Sequence, residues 1–342
     1  MASVPKRREV TVATIHRTGL RGVLLPITLI AAAPAGDQRA TLEALRRIDL
    51  RLATIAYRLT TANATLCREL SPTPGWALHA LGQYDAGLRD DARAVFGFET
   101  PIAVEAVVAG APAARAGVRD RDSIVAVDGV DVPTDVPGGP ASSAARDRMT
   151  GRIAALPAAR PLRVELVRDG VRRTVTIPAA AGCRSGFEVL LGPKMTAVAD
   201  GSIVQIGVRF FERYGDDAVA VVVAHELAHN ILHHRERLDA AKVGRGLFAD
   251  VGRNGRLFRR TEDDADLLGL YLIRNAGYDP QNAVRFWRDH GGDVDGGLLR
   301  SRTHGSSKAR AAALEAEIAH IPRDAPVPYR PPVLATRDQP LQ

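Results

Sequence analysis

Apolar side chains recur three and four positions apart at Leu42, Leu45, Ile48, Leu52, Ile55 and Leu59. That is the 3.6-residue period of an amphipathic helix, and it predicts one helix over residues 37–63. A coiled-coil partner would use the same stripe. A chain with room for two cores offers a larger domain of its own instead, and packing there is expected. From residue 96 the period shortens to two. Strand-like 102–108 precedes a short helix stopped by Gly117, and a strand over 122–129 ends at the turn Asp128-Gly129. A Pro/Gly loop from Pro133 to Pro140 leads to a helix over 142–156, where Met149, Ile153 and Leu156 face one side. Strands over 162–168 and 171–177 then close as a hairpin around Asp169-Gly170. Residues 196–208 read as strand and turn. Residues 218–224 are almost wholly apolar, the mark of a helix buried on all sides. The expected fold class is α+β, a mainly helical domain interrupted by a small β-rich insertion. The pattern divides the chain into a leader (1–36), a helical region (37–95), the insertion (96–182), the main helical domain (183–325) and a Pro-rich tail (326–342).

Charge changes the picture at the N-terminus. The chain of 342 residues has a formal charge of +7. Lys6, Arg7, Arg8, Arg17 and Arg21 precede an apolar run from Val23 to Ala33, and Ala33-Pro34-Ala35 offers small residues for cleavage before Gly36. This reads as a secretory signal peptide and predicts a periplasmic or secreted protein of the cell envelope. The run is short for a membrane span and no later segment has that length, so no transmembrane span is expected after cleavage. Loss of the first 35 residues removes those five basic groups and Glu9, lowering the charge by 4 to +3. No basic stripe interleaved with aromatics remains, and nucleic-acid binding is not expected. Cys67 and Cys183 are the only cysteines, and they bracket the insertion. In an oxidising compartment they are expected to form a disulfide, contributing about 4 to 5 kcal/mol on the disputed chain-entropy model. Their spacing does not suit a Cys-based zinc site.

The chemistry sits on the apolar helix. His225, Glu226 and His229 stand in the order His-Glu-x-x-His. Positions i and i+4 share a helical face, so both imidazoles can converge on one tetrahedral zinc ion, with Glu226 beside its open position. Unpaired His and Glu side chains on so apolar a helix would be expensive to desolvate, which favours a metal site over ordinary helix residues. Such a site takes three protein ligands. A metzincin would need glycine at position 232 and histidine at 235, where this chain has Leu232 and Arg235. The remaining source is a carboxylate from a later helix. Thr261 reads as the N-cap of an acidic first turn in which Glu262 and Asp266 are i, i+4 neighbours, one able to bind the ion and the other to orient a ligand histidine.

His225-Glu226-Leu227-Ala228-His229, then Glu262-x-x-Ala265-Asp266, then Ala276-Gly277-Tyr278-Asp279-Pro280 resembles metallopeptidase family 48, the family of the CAAX prenyl proteases and HtpX-like endopeptidases. The resemblance runs over residues 192–318. It implies a gluzincin-type zincin fold, one Zn2+ per chain held by His225, His229 and Glu262, and Glu226 as general base. His234, nine residues after His225, matches a histidine common in the family. His304 and Arg310 are similar to the family's His-Pro motif followed six residues on by Arg, with Gly305 in place of the proline. Asp266, His234 and Arg310 are thereby expected around the ligands rather than on the ion. His304 has two readings: a loop histidine beside Arg302, Gly305 and Ser306, or a catalytic group that approaches the ion to stabilise an oxyanion or block the open position.

The insertion, through Gly110-Ala111-Pro112-Ala113-Ala114-Arg115-Ala116-Gly117-Val118 and Ser123-Ile124-Val125-Ala126-Val127-Asp128-Gly129, resembles a PDZ domain of the bacterial protease type. The resemblance implies a groove between a strand and the 142–156 helix that takes up a C-terminal peptide as an added strand. Phe96-Gly97-Phe98 reads either as part of the loop receiving the peptide carboxylate or as core aromatics. The expectation is a zinc metalloendopeptidase acting on envelope or misfolded polypeptides recruited by the PDZ-like insertion. The alternative is a PDZ-based periplasmic chaperone or binding factor whose metal site is regulatory or idle.

Overall fold

The computed structural model describes residues 35–133, 139–243, 252–294, 306–322 and 324–341. Nearly all of the expected signal peptide, and His304, lie outside the described residues. Helix α1 (Ala35–Ala62) comes first, then β1 (Leu70–Pro72), β2 (Trp76–Ala80), α2 (Arg89–Phe96), β3 (Ile102–Val107), α3 (Pro112–Arg115), β4 (Ser123–Val127) and β5 (Val130–Asp131). The insertion continues with α4 (Ala144–Ala154), β6 (Leu162–Arg168), β7 (Val171–Ile177) and β8 (Ala181–Cys183). The main domain holds β9 (Gly186–Leu190), β10 (Ala197–Ala199), β11 (Ile203–Gly207), α5 (Val208–Arg213), α6 (Asp216–Ile231), α7 (His234–Ala240), α8 (Gly252–Asn275), α9 (Gln281–Val294) and α10 (Ser307–His320). Among the described residues no helix is long and apolar enough to cross a membrane.

The insertion is an antiparallel sheet in the order β2-β3-β4-β6-β7, with β5 on β4. Its core joins Ile102, Val104, Ile124, Val164 and Leu166 to Met149 and Ile153 of α4. Asp169 and Gly170 both have positive φ (53° and 73°), which matches the right-handed strand twist across a tight hairpin. The sheet takes in β2, so it begins ahead of residue 96, and the stretch 37–95 is not wholly helical. Residues 76–80 show no polar alternation, and only the pairing with β3 marks them as strand. Phe96 and Phe98 are 1% and 8% exposed and pack around the His79 ring, so both are core aromatics. At the neck of the insertion β1 pairs antiparallel with β8, Leu70 opposite Cys183, and Cys67 and Cys183 are joined by a disulfide.

In the main domain α6 lies against α8 within a core that includes Val219, Val223, Leu227, Leu268 and Leu272. A sheet ordered β10-β11-β9 borders it, with β9 parallel and β10 antiparallel to β11. Val333 and Leu334 of the Pro-rich tail close the same core. Helix α8 starts at Gly252, so Thr261 is not an N-cap. Leu257 packs with Leu238 and Val243 and carries the helix back past the acidic turn, and the Thr261 hydroxyl donates to the Phe258 carbonyl at 2.8 Å.

The stripe of α1 serves two bodies. Leu52, Ile55 and Leu59 enter the main core, whereas Leu42 packs with Tyr84, Phe96 and Phe98 of the insertion. Polar contacts divide the same way. Arg39 pairs with Asp91 at 2.7 Å and Arg46 with Asp120 at 3.0 Å on the insertion side. Arg51 donates to Asp216 at 2.6 Å and to the Phe211 and Tyr214 carbonyls at 2.7 and 2.8 Å on the other.

Between the two bodies the Asp49 carboxyl of α1 shares a hydrogen bond with Glu105 of β3. Burial lifts Asp49 from 3.8 to about 7, against the opposing effects of the Glu105 hydrogen bond and Arg146. Burial, then Asp49, raises Glu105 as well. A carboxyl raised in the folded chain favours the fold while protonated and loses that contribution as pH rises through the raised value. The melting temperature is therefore expected to fall by a few degrees between pH 6 and pH 8 at constant ionic strength. Asp49→Asn is expected to flatten that slope, and thermal denaturation of both chains across this pH range checks it.

Candidate metal centre

Helix α6 carries Asp216 and Asp217 in its first turn, which suits the positive end of its dipole, and its apolar body buries it from Val219 onward. His225 and His229 emerge from one face and meet Glu262 of α8. His225 Nε2 lies 3.2 Å from His229 Nε2 and 3.2 Å from Glu262 Oε2, and His229 Nε2 lies 3.6 Å from Glu262 Oε1. A tetrahedral ion with bonds of about 2.0–2.2 Å holds neighbouring ligand atoms about 3.3–3.6 Å apart, so the three groups fit zinc.

The outer ring nitrogens are engaged too. His225 Nδ1 donates to Asp266 Oδ1 at 2.9 Å, which leaves Nε2, on the side of His229 and Glu262, as the atom that could bind an ion. Asp266 in turn accepts from both Nε and Nη2 of Arg310 on α10. Burial works to raise the Asp266 carboxyl, but Arg310 and His225 outweigh it and hold it below its ordinary range. The Arg310 guanidinium is stacked over Trp287 of α9, its Cζ 3.2 Å from the ring centroid. His229 Nδ1 meets His234 Nδ1 at 2.9 Å. Burial, then the neighbouring His229 and Arg237, pushes His234 down to about 2, so it stays neutral and accepts a hydrogen bond from His229 Nδ1. The chain makes this contact because α6 ends at Ile231 and His233 adopts a left-handed conformation (φ 52°), which turns His234 back toward His229.

Glu226 is 6% exposed and lines the same cleft as His225, His229 and Glu262. Burial raises its carboxyl above the ordinary range, against the effects of the two histidines, which suits a group that must accept a proton. The cleft is bordered by Ala197, Val198 and Ala199 of the edge strand β10, and by Phe286 and Trp287 of α9.

The structure thus brings together His225, Glu226, His229, His234, Glu262, Asp266 and Arg310, while His304 falls outside the described residues. Trp287, Asn230 and Gly269 carried no signal read from the sequence. Asn230 had one available, an amide next to His229 on an otherwise apolar helix. Gly269 lies one turn beyond Asp266, where α8 crosses α6. A Cβ there would stand 3.3 Å from both Cα and N of His225.

A family model for the PDZ domain matches residues 103–144, within the insertion. Over 122 residues the chain is 29% identical to the mitochondrial metalloendopeptidase OMA1 of Schizosaccharomyces pombe, a match covering 30% of this chain and 36% of that protein. The chain is therefore similar to a metallopeptidase over about a third of that relative's length.

Two substitutions probe the centre. Asp266→Asn is expected to weaken zinc binding by about 10- to 100-fold, measured by competition with a chromophoric chelator, because His225 exchanges an anionic acceptor paired with Arg310 for a neutral amide. Gly269→Ala is expected to lower stability by about 1–3 kcal/mol in a denaturant titration, since the two helices must part at His225.

Proposed function

We propose that the chain is a zinc-dependent endopeptidase of the cell envelope that hydrolyses extended polypeptide laid along β10. The observation that carries this reading is the convergence of His225, His229 and Glu262 at tetrahedral spacing, with buried Glu226 lining the same cleft. Zinc bound there supplies Lewis acidity to the scissile carbonyl and makes water easier to deprotonate. Glu226 takes the proton from the attacking water and delivers it to the leaving amine. Asp266 and His234 keep the two imidazoles in the tautomers the ion needs.

The edge of β10 supports the substrate's orientation. Hydrogen bonds from Asp200 N to Ile203 O and from Gly207 N to Thr196 O identify alternate residues as those paired with β11. Ala197 and Ala199 therefore direct their peptide groups away from β11, toward the open edge, where an extended chain can pair. The PDZ-like insertion offers a second such edge, since β2 ends its sheet with α4 beside it, and it recruits polypeptide to the peptidase. The basic leader followed by an apolar run supports export, and the Cys67–Cys183 disulfide suits an oxidising compartment.

The test is zinc content and casein cleavage, side by side, for the parent and Glu226→Gln. One zinc in each with cleavage lost by about 10³-fold in the variant is expected. Zinc in both with cleavage in neither would move the activity to the PDZ-like insertion.

A further inference from the structure

Asn230 follows the ligand His229 on α6 and is 6% exposed. Both ends of its amide are used, and both reach the sheet that borders the cleft. Its Oδ1 accepts from the Gly201 N–H at 2.8 Å, and its Nδ2 donates to the Ser185 hydroxyl at 3.0 Å. Gly201 lies in the turn between β10 and β11, and Ser185 directly precedes β9. One side chain therefore ties the metal-bearing helix to the turn that ends β10 and to the start of the strand on the far side of β11. The turn is itself closed by Asp200, whose Oδ1 accepts from Ser202 N, Ser202 Oγ and Ile203 N, each at 2.8 Å. Beneath it, the Gly186 N–H donates to the Ser202 carbonyl at 2.9 Å. The turn is thus a stiff unit, and its attachment to α6 runs through Asn230.

We propose that Asn230 is a positioning residue that fixes β10 against α6, and so sets how tightly an extended polypeptide binds in the cleft. This inference rests on the peptidase reading above. An ion held by His225, His229 and Glu262 is anchored to α6 and α8, whereas the peptide edge of Ala197 and Ala199 belongs to a short strand. The distance between reacting carbonyl and metal centre depends on both. Asn230 reaches from the helix to the strand within two residues of the cleft edge, and Asn230 and Gly201 both line the cleft. An amide buried here without both partners would be costly, so the contact is specified rather than incidental.

The test compares the full-length parent with Asn230→Ala, both loaded with zinc, on a peptide long enough to pair along β10. The expected result is a KM raised about five-fold with kcat nearly unchanged, from the loss of hydrogen bonds that hold the strand. Zinc stoichiometry is expected to stay the same. Amide hydrogen exchange at residues 197–203 is expected to accelerate while exchange in α6 does not. If Asn230→Ala does not fold, Ser185→Ala removes one of the two contacts and is expected to shift KM and exchange in the same direction by less. Unchanged KM in a chain that still cleaves overturns this inference alone. Loss of zinc from Asn230→Ala assigns the residue to the metal site and overturns it as well. A parent that holds zinc and cleaves no peptide overturns the peptidase reading, and this inference with it.

Discussion

A carboxylate held between three helices, away from water, is costly unless its charge is matched and its oxygens accept hydrogen bonds. Asp266 satisfies both conditions by accepting from His225 of α6 and from Arg310 of α10. Each partner is fixed in turn, His225 by its helix and Arg310 by stacking on Trp287 of α9. Four helices therefore meet at one anion. With Asp266 and Arg310 cancelling each other, the negative charge of Glu262 remains beside the His225 and His229 rings, which is a setting for a cation. The same balance acts on His225. Burial disfavours its charged form, but its hydrogen bonds to Asp266 and Glu262, with the charge of both carboxylates, outweigh burial and raise its pKa to about 10. The centre favours positive charge at Nε2, and a metal ion would meet that preference while the Nδ1–H of His225 stays donated to Asp266.

Close helix packing makes this geometry reachable. Ala224 and Ala228 on α6 and Ala265 on α8 are fully buried, and Gly269 lies against the backbone of His225. Small side chains at the crossing let the backbones approach until Glu262 reaches both imidazoles. Larger residues would leave the ligand types in place and separate the ligand atoms.

Much of this was legible in the sequence because it is local. The His-Glu-x-x-His spacing, the Asp-Gly hairpin turns and the period of α1 each depend on residues within a few turns of one another, and each has its counterpart in the structure. What the sequence hid is long-range. Thr261 resembles an N-cap by its acidic sequel, but burial of Leu257 extends α8 backward and outweighs that local preference. The strand character of 76–80 exists only through pairing with β3, across α2. The stripe of α1 predicts a buried face without saying that Leu42 and Leu59 would be buried by different bodies. Arg310 could be placed near the site by its spacing from His304, yet its partner Asp266 lies 44 residues away and its stacking on Trp287 has no sequence mark.

The insertion is held at three places that do different physical work. The Cys67–Cys183 disulfide and the β1–β8 pair close its neck, which limits how far its two chain ends can separate. Helix α1 is a rod shared by both bodies, so rotation about the neck must break contacts at Leu42 or at Leu52 and Ile55. The third hold is a charge contact. Arg146 of α4 pairs with Glu188 of β9, and Glu188 also accepts from Gln205 of β11 at 2.7 Å. Gln205 stands opposite Glu188 on one side and opposite Val198 of β10 on the other. One row of residues thus runs from the helix of the PDZ-like insertion across the sheet to the edge of the cleft. Because β9, β11 and β10 are hydrogen-bonded in that row, a displacement of α4 that carries Arg146 with it must strain Glu188 or move the strand. The insertion is therefore braced against the sheet that borders the candidate metal centre, and its orientation and that of the cleft edge are set together.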